Sequence, residues 1–191
     1  MSGHNKWSQI KEKKGKTDAK KGRVFSRYAK LITNEARLAK GNREAPGLRT
    51  AIERARKENM PNDNIERAIK KATEAGGTAL ESILYEAYGP GGVAMLIEVL
   101  TDSRNRASNE LKFLLSENGG NLASPGAASW AFSHHPASGT PPQAGGDENK
   151  MGGWVATTTV PLEDADIEKL EKLVEAIEAY EEVQEVFTNA E

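Results

Sequence analysis

Basic side chains are concentrated at the start of the chain, where ten of the first thirty residues are Lys or Arg and only two are acidic. Three aromatic residues, Trp7, Phe25 and Tyr28, lie among them. This opening segment (residues 1–30) has so few large apolar residues before Val24 that it cannot bury itself. Its binding free energy must then come from an anionic partner, for which phosphate is the best match. The alternative is a solvated basic tail that only aids solubility.

The candidate nucleic-acid-binding residues of the opening segment share a positive charge or, in one case, a ring that can stack on a base. They are Lys6, Trp7, Lys11, Lys13, Lys14, Lys16, Lys20, Lys21, Arg23, Arg27 and Lys30. Trp7 either stacks on an exposed base or anchors the segment to the domain that follows, and both interpretations stay open. Phe25 and Tyr28 have helical spacing with Leu31 and Ile32, which favours core packing for both rings.

Four arginines further along the chain extend the candidate surface: Arg49, Arg56, Arg104 and Arg106. The first two, like Arg54, Lys57, Arg67, Lys70 and Lys71, lie mostly outside the apolar stripes of predicted helices, where ordinary solvation is the alternative. The last two fall in the first turn of another predicted helix, whose free N–H groups favour an anion. The alternative for that pair is an ion pair with Asp102 or with a neighbouring carboxylate such as Glu98.

Few residues of the chain have the chemistry of an active site. There is no cysteine, and the three histidines (His4, His134 and His135) have no spacing with carboxylates that is typical of a metal site. Residues 89–92, Gly-Pro-Gly-Gly, lack the Lys-Ser/Thr of a phosphate-binding loop and are typical of a tight turn. We therefore expect no enzyme activity, no metal, no cofactor and no small-molecule substrate.

The two halves of the chain carry opposite charge, although the formal net charge is only −2. Residues 1–75 contain 20 basic and 9 acidic side chains, whereas residues 76–191 contain 6 and 19. This asymmetry predicts a basic domain over residues 1–77 and an acidic domain over residues 78–191, with different partners. No apolar run approaches the ~20 residues of a membrane span, and no signal-peptide core opens the chain, so a cytoplasmic protein is expected.

Hydrophobic periodicity predicts an all-helical basic half. Apolar residues at three- and four-residue spacing indicate helices from Arg23 to Gly41, from Leu48 to Asn59 and from Asp63 to Ala72. Pro61 ends the second helix, because proline disfavours a helical residue before it. Asp63 followed by Glu66 resembles a capping box and begins the third helix.

The acidic half has a mixed pattern. It predicts strands at 83–88, 93–100, 128–133, 154–162 and 183–188, and helices from 102 or 103 to 117 and at 166–180. From Val93 onward the order is strand, helix, strand, strand, helix, strand, so we expect a ferredoxin-like α+β domain with one antiparallel sheet. Residues 134–153 are rich in Pro, Gly and polar side chains and predict a mobile loop between the two middle strands.

Seven strings of the sequence together carry a resemblance to a known family. They are SGHNKW at 2–7, KGRVFSRYAKLI at 21–32, LRTAI at 48–52, NMPNDNIERAIKKAT at 59–73, YEAYGPGGVAMLIE at 85–98, TDSRNRA at 101–107 and ENGGNLASPGAASWAF at 117–132. They resemble the YebC/PmpR proteins, densely over residues 1–133 and more loosely over 155–191. The resemblance implies a helical first domain and two α+β domains, the third inserted into the second. Here the loop at 134–153 stands in place of that third domain, which we expect to be missing.

The resemblance also implies a function. Family members are named probable transcriptional regulators that bind DNA, and relatives include the mitochondrial translational activator of cytochrome oxidase subunit one. Some bacterial members are associated with the ribosome. We therefore expect a non-enzymatic nucleic-acid-binding regulator acting on promoter DNA. One alternative is a ribosome-associated translation factor that binds ribosomal or transfer RNA, which the positioning character of the basic residues favours. Another is a protein-interaction adaptor that recruits its partner through the acidic domain.

Overall fold

The computed structural model describes residues 18–72, 80–135 and 153–191. Three helices fill the first of these ranges: α1 (Asp18–Leu38), α2 (Pro46–Lys57) and α3 (Asn62–Ala72). α1 begins five residues before the predicted start. α2 begins at Pro46, whose missing N–H costs nothing in the first turn. The three predicted helices are thus present, with ends shifted by a few residues.

The helical module (α1–α3) is held by its own hydrophobic cluster. The buried members are Ile32, Ala36, Leu48, Ala51, Ala55, Met60, Ile65, Ala68 and Ile69. Four of the nine are alanines, which let the helix backbones approach closely, and each fully buried Ile or Leu contributes about 1.5–3 kcal/mol. The hydroxyl of Thr33 on α1 donates to the carbonyl of Ala68 on α3 at 2.9 Å, so a polar contact also joins these two helices.

The remaining described residues form a mixed helix and sheet region. Its elements are β1 (Glu81–Tyr88), β2 (Ala94–Thr101), α4 (Arg104–Glu117), β3 (Asn121–Leu122), β4 (Phe132–His135), β5 (Gly153–Ala156), α5 (Asp164–Ala179) and β6 (Val183–Thr188). Four strands form an antiparallel sheet in the order β3-β1-β2-β6, and β4 pairs with β5 in a separate two-stranded ribbon.

β2 lies at the centre of this region and is buried on both faces. Met95, Ile97 and Val99 pack against α4 and α5 in one hydrophobic cluster. Ala94 and Leu96 point to the opposite face and pack in a second cluster with aromatic residues of β4 and β6. Burial on both faces explains why the sequence of β2 is almost continuously apolar and does not alternate between apolar and polar residues.

The α+β class and the order of a helical region followed by mixed helix and sheet are confirmed, and β2 pairs with β6 as a ferredoxin-like sheet requires, but one predicted strand pairing is wrong. A ferredoxin-like sheet would place β5 beside β2, whereas β1 occupies that edge through eight paired residues. The hairpin is favoured because its turn is short and local: Gly91 and Gly92 adopt the positive φ angles of +70° and +77° that it requires. The strands predicted at 128–133 and 154–162 form only the short β4–β5 ribbon.

The helical module contacts the second region directly. The guanidinium of Arg27 on α1 donates to the backbone carbonyls of Glu178 and Gln184, and Arg54 on α2 lies 3.9 Å from a carboxylate oxygen of Glu185. The predicted boundary between residues 77 and 78 lies outside the described residues, so the division into 1–77 and 78–191 stays a proposal. Most of the predicted mobile loop also lies outside them, although the two strands that flank it pair with each other.

Candidate nucleic-acid interface

The structure describes only part of the predicted basic surface. Six of its members lie outside the described residues: Lys6, Trp7, Lys11, Lys13, Lys14 and Lys16. Lys20 lies in the first turn of α1, and Lys21 and Arg23 are exposed on the same helix. Arg49 and Arg56 are exposed on α2, and the Arg49 Nε lies 4.0 Å from a carboxylate oxygen of Glu53. The contribution of all these residues to binding stays a prediction.

Arg27 is used inside the protein and not at its surface. Its half-buried guanidinium donates to the carbonyl of Glu178, in the last turn of α5, and to that of Gln184 at 3.5 Å. Carbonyls at the end of a helix carry partial negative charge, which favours a cation there. Burial lowers the pKa of Arg27, but a guanidinium stays charged in proteins. Arg27 therefore joins the two regions, and we do not propose it as a phosphate ligand.

Arg104 and Arg106 form ion pairs, which is the alternative interpretation of that sequence pattern. Arg104 binds Glu81 with two hydrogen bonds, one of 2.8 Å from Nε. Arg106 binds Asp102 at 2.5 Å and also Glu182. The expected partner Glu98 takes no part in these pairs; Glu81 and Glu182 do, and both come from distant parts of the chain.

The N-terminus of α4 is also capped by its own chain. The hydroxyl of Ser103 accepts a hydrogen bond from the backbone N–H of Arg106 at 3.4 Å. Burial alone would raise the pKa of Glu182, but hydrogen bonds from Tyr180 and Arg106 outweigh burial and hold that pKa below its usual value. With its arginines and its cap engaged in this way, the α4 N-terminus is not a site that we propose for an external anion.

Lys30 lies at the edge of a groove between α1 and α3 (the α1–α3 groove). Three other cations line the same groove: Arg37 from α1, and Arg67 and Lys71 from α3. Arg67 is oriented by its own helix, since its Nε donates to the carbonyl of Asp63 at 3.3 Å and another of its nitrogens donates to the side chain of Asn64. None of the described residues that line the groove is acidic.

The α1–α3 groove has a volume of about 630 Å³ and an apolar floor. The floor residues are Phe25, Ala29, Met60, Ala68 and Leu80. A concave surface lined by charges of one sign concentrates the electrostatic potential and attracts ions of the opposite sign. The arrangement can therefore bind an anionic ligand that also has an apolar part.

Sequence reasoning did not find this groove as a site. Arg37 was missed altogether, and Phe25 was assigned only to the core. A signal was present, because Lys30 and Arg37 are seven residues apart and Arg67 and Lys71 are four apart. Each pair therefore lies on one face of its helix. What no spacing indicates is that these two faces lie opposite each other.

Two other site types find no support in the described part of the chain. Within residues 18–72, 80–135 and 153–191, no group of three or more His, Asp or Glu side chains is arranged to hold a metal ion. None of the helices in these ranges has the length and apolar character needed to cross a bilayer.

Comparison with known proteins identifies the family. Residues 5–75 match the model of the TACO1/YebC protein N-terminal domain, and residues 80–152 match that of the TACO1/YebC second and third domain. The chain belongs to the TACO1/YebC family. The resemblance drawn from the seven sequence strings is thereby confirmed.

Relatives in this family have regulatory names. A probable transcriptional regulatory protein of Treponema pallidum (strain Nichols) is 55% identical over 134 residues, which are 69% of this chain and 55% of the relative. One of Syntrophobacter fumaroxidans is 53% identical over 135 residues, covering 70% and 54% of the two chains. The chain thus spans about half the length of the curated relatives it matches. The family is one of regulators.

A solved structure supports the fold. The crystal structure of a conserved hypothetical protein from Aquifex aeolicus is 33% identical, with a TM-score of 0.76. The match covers 97% of this chain and 96% of the other. A helical region followed by mixed helix and sheet is therefore the architecture that this chain shares with that protein.

Proposed function

We propose that this TACO1/YebC-family protein is a non-enzymatic regulator of gene expression that binds nucleic acid through its helical module. The observation that carries the proposal is the α1–α3 groove, where four cations from two helices converge and no described lining residue is acidic. Lys and Arg side chains that converge on one surface neutralise phosphates and release condensed counterions, which is the main source of affinity for nucleic acid.

The charge distribution supports binding at the helical module alone. The acidic residues outnumber the basic ones 19 to 6 after residue 75, so the second region repels a polyanion. α5 carries acidic residues in its first turn and no basic residue in its last. A nucleic acid is therefore attracted to one side of the molecule and kept from the other.

Two kinds of nucleic acid remain in competition. The names of the curated relatives favour promoter DNA. The cations of the groove are long side chains on helix surfaces, a pattern typical of contacts that position a backbone and do not read base edges. Contacts that only position a backbone favour structured RNA such as ribosomal RNA. The apolar floor of the groove favours the same ligand, because a phosphate backbone alone makes no use of an apolar surface. If the protein is instead an adaptor that acts through its acidic region, it should have no specific affinity for either nucleic acid.

The groove cations can be tested with a matched charge control. Replacing Lys30, Arg67 and Lys71 by Ala should flatten the plot of log affinity against log salt by about 2–3 units for duplex DNA, and by about 2 for single strands. Removal of the same charge from Lys112, Lys169 and Lys172 on α4 and α5 should leave the slope unchanged. Fluorescence anisotropy from 50 to 300 mM salt would measure both, on a promoter-length duplex and on a structured RNA. Equal slopes for the two variants would show that the groove does not bind phosphates.

The opening segment requires a separate truncation. Because α1 begins at Asp18, the deletion must end before that residue to leave the helical module intact. Removing residues 1–16 takes away five lysines. With each of them engaged, the slope for duplex DNA would become less steep by about 4.5 units. An unchanged slope would mean that this segment is a solvated tail.

A further inference from the structure

Small side chains line part of the α1–α3 groove. Ala29 on α1 and Ala68 on α3 both line it, and Ala68 is only 5% exposed. Phe25 is half-buried, so part of its ring can be reached from the groove. Met60 and Leu80 complete an apolar surface below the four cations. The groove therefore offers two different environments, a charged rim and an apolar interior.

Hydrogen bonds hold the walls of the groove in place. The Thr33 hydroxyl on α1 donates to the Ala68 carbonyl on α3 at 2.9 Å, which fixes the distance between the helices. Asn34 is 2% exposed, and its side-chain oxygen accepts from the backbone N–H of Leu80 at 2.8 Å. Leu80 is thereby fixed at one end of the groove. A site whose walls are already ordered loses little conformational entropy when it binds a ligand.

A duplex matches the rim of this groove but not its interior. In a duplex the bases are stacked inside, and the protein meets hydrated phosphates that gain nothing from Phe25, Met60 or Leu80. A single strand presents both phosphates and the faces of its bases, and stacking or apolar contact with a base contributes about 1–3 kcal/mol. A volume of about 630 Å³ lies within the usual range for clefts that bind small organic groups.

We infer that the α1–α3 groove takes one unstacked base of a single-stranded or looped nucleic acid, while its rim cations bind the phosphates on either side. The inference rests on the proposed function and adds the form of nucleic acid that the site prefers. Phe25 supplies the aromatic contact, Ala29 and Ala68 leave the space, and Lys30, Arg67 and Lys71 supply the charge. Regions of a long RNA or an opened DNA in which bases are unpaired are the class of ligand that fits.

The test combines a change in the protein with a change in the ligand. Ala29→Leu fills the groove and leaves its charges in place, and an abasic oligonucleotide keeps its phosphates but has no bases. The full chain should bind a fluorescein-labelled 12-nucleotide single strand about ten-fold more tightly than the abasic strand of the same length. In the Ala29→Leu protein this preference should fall to about two-fold, with an unchanged salt slope. A preference that stays near ten-fold would overturn the inference.

Controls separate a loss of the groove from a loss of folding. Ala165→Leu makes the same change at an exposed position in the first turn of α5 and should keep the ten-fold preference. If Ala29→Leu lowers the melting temperature by more than a few degrees, Phe25→Leu replaces it, since it removes the ring but keeps an apolar side chain. The Phe25→Leu protein should lose several-fold of the preference for base-containing strands; full retention would again overturn the inference.

Single strands of DNA and RNA with one sequence form the remaining arms of the experiment. If DNA and RNA show the same preference for intact over abasic strands, the groove contacts the base alone. If the preference is larger for RNA, the groove binds the base and an added contact reaches the 2′-hydroxyl. A wild-type protein that binds intact and abasic strands equally refutes the groove site but leaves the proposed function standing. A wild-type protein that binds no oligonucleotide and no duplex refutes the proposed function itself.

Discussion

Replacing Glu86 by Gln should destabilise the loop between β3 and β4. Glu86 lies on β1 and is 8% exposed. Its carboxylate accepts hydrogen bonds from the backbone N–H groups of Gly126 and Ala128 at 2.6 Å and of Ser129 at 2.8 Å. Burial alone would raise the pKa of Glu86, but these backbone donors outweigh it and hold the pKa below its usual value. The charged carboxylate is therefore the form that the folded protein prefers.

The magnitude follows from these three contacts. A hydrogen bond to a charged group contributes about 1.5–3 kcal/mol. The amide of Gln keeps one acceptor oxygen, so at least one of the three backbone N–H groups must face a donor and not an acceptor. We expect Glu86→Gln to reduce the free energy of unfolding by about 2–4 kcal/mol at pH 7. For a chain of 191 residues this corresponds to a melting temperature lower by about 4–16 °C.

The effect should depend on pH with a definite sign. A carboxylate whose pKa is lowered in the folded state stabilises it above the pKa of the unfolded chain, about 4.3, and this contribution is lost as pH falls through the folded value. The difference in melting temperature between wild type and Glu86→Gln should therefore shrink between pH 7 and pH 3.5. Circular dichroism at both values would measure it, with Glu110→Gln, an exposed change on α4, as the control. A difference that is below 1 kcal/mol at pH 7, or equal at both pH values, would refute the reasoning.

Three further predictions concern contacts between distant parts of the chain. Arg27→Leu should reduce the free energy of unfolding by about 1–3 kcal/mol, because two backbone carbonyls lose their donor, with no change in the salt slope of nucleic-acid binding. Arg106→Ala should lower the melting temperature more than Arg104→Ala, because it leaves Glu182 without its cation and the side chain of Glu182 is only 10% exposed. If Arg106→Ala instead weakened nucleic-acid binding at an unchanged melting temperature, the N-terminus of α4 would be an anion site after all. Replacing residues 138–151 by a short Gly/Ser turn should shift the melting temperature by only a few degrees, because the flanking strands pair with each other and closure entropy changes slowly with loop length. Loss of cooperative unfolding in that variant would show that the loop packs on the core.

The sequence by itself determined the helices, the first two strands and the last one, and the family. Three- and four-residue apolar spacing located α1, α2 and α3, and Pro61 located the break between the last two, because helix periodicity and proline sterics act over a few residues. Gly91 and Gly92 predicted the turn between the first two strands for the same reason. The seven strings identified the family because identity over such lengths needs no knowledge of contacts.

Only the tertiary structure decided which side chains meet. Arg27 and Arg106 were predicted as ligands for an external anion, but their partners Glu178 and Glu182 are 151 and 76 residues away in the chain. β1, and not β5, pairs with the edge of β2. The alternation of apolar and polar residues along these strands is compatible with either pairing. The α1–α3 groove arises because two cationic helix faces and an apolar floor converge across a close helix contact. Sequence spacing specifies the face of a helix that a residue occupies, whereas the opposing face is set by packing of the whole chain.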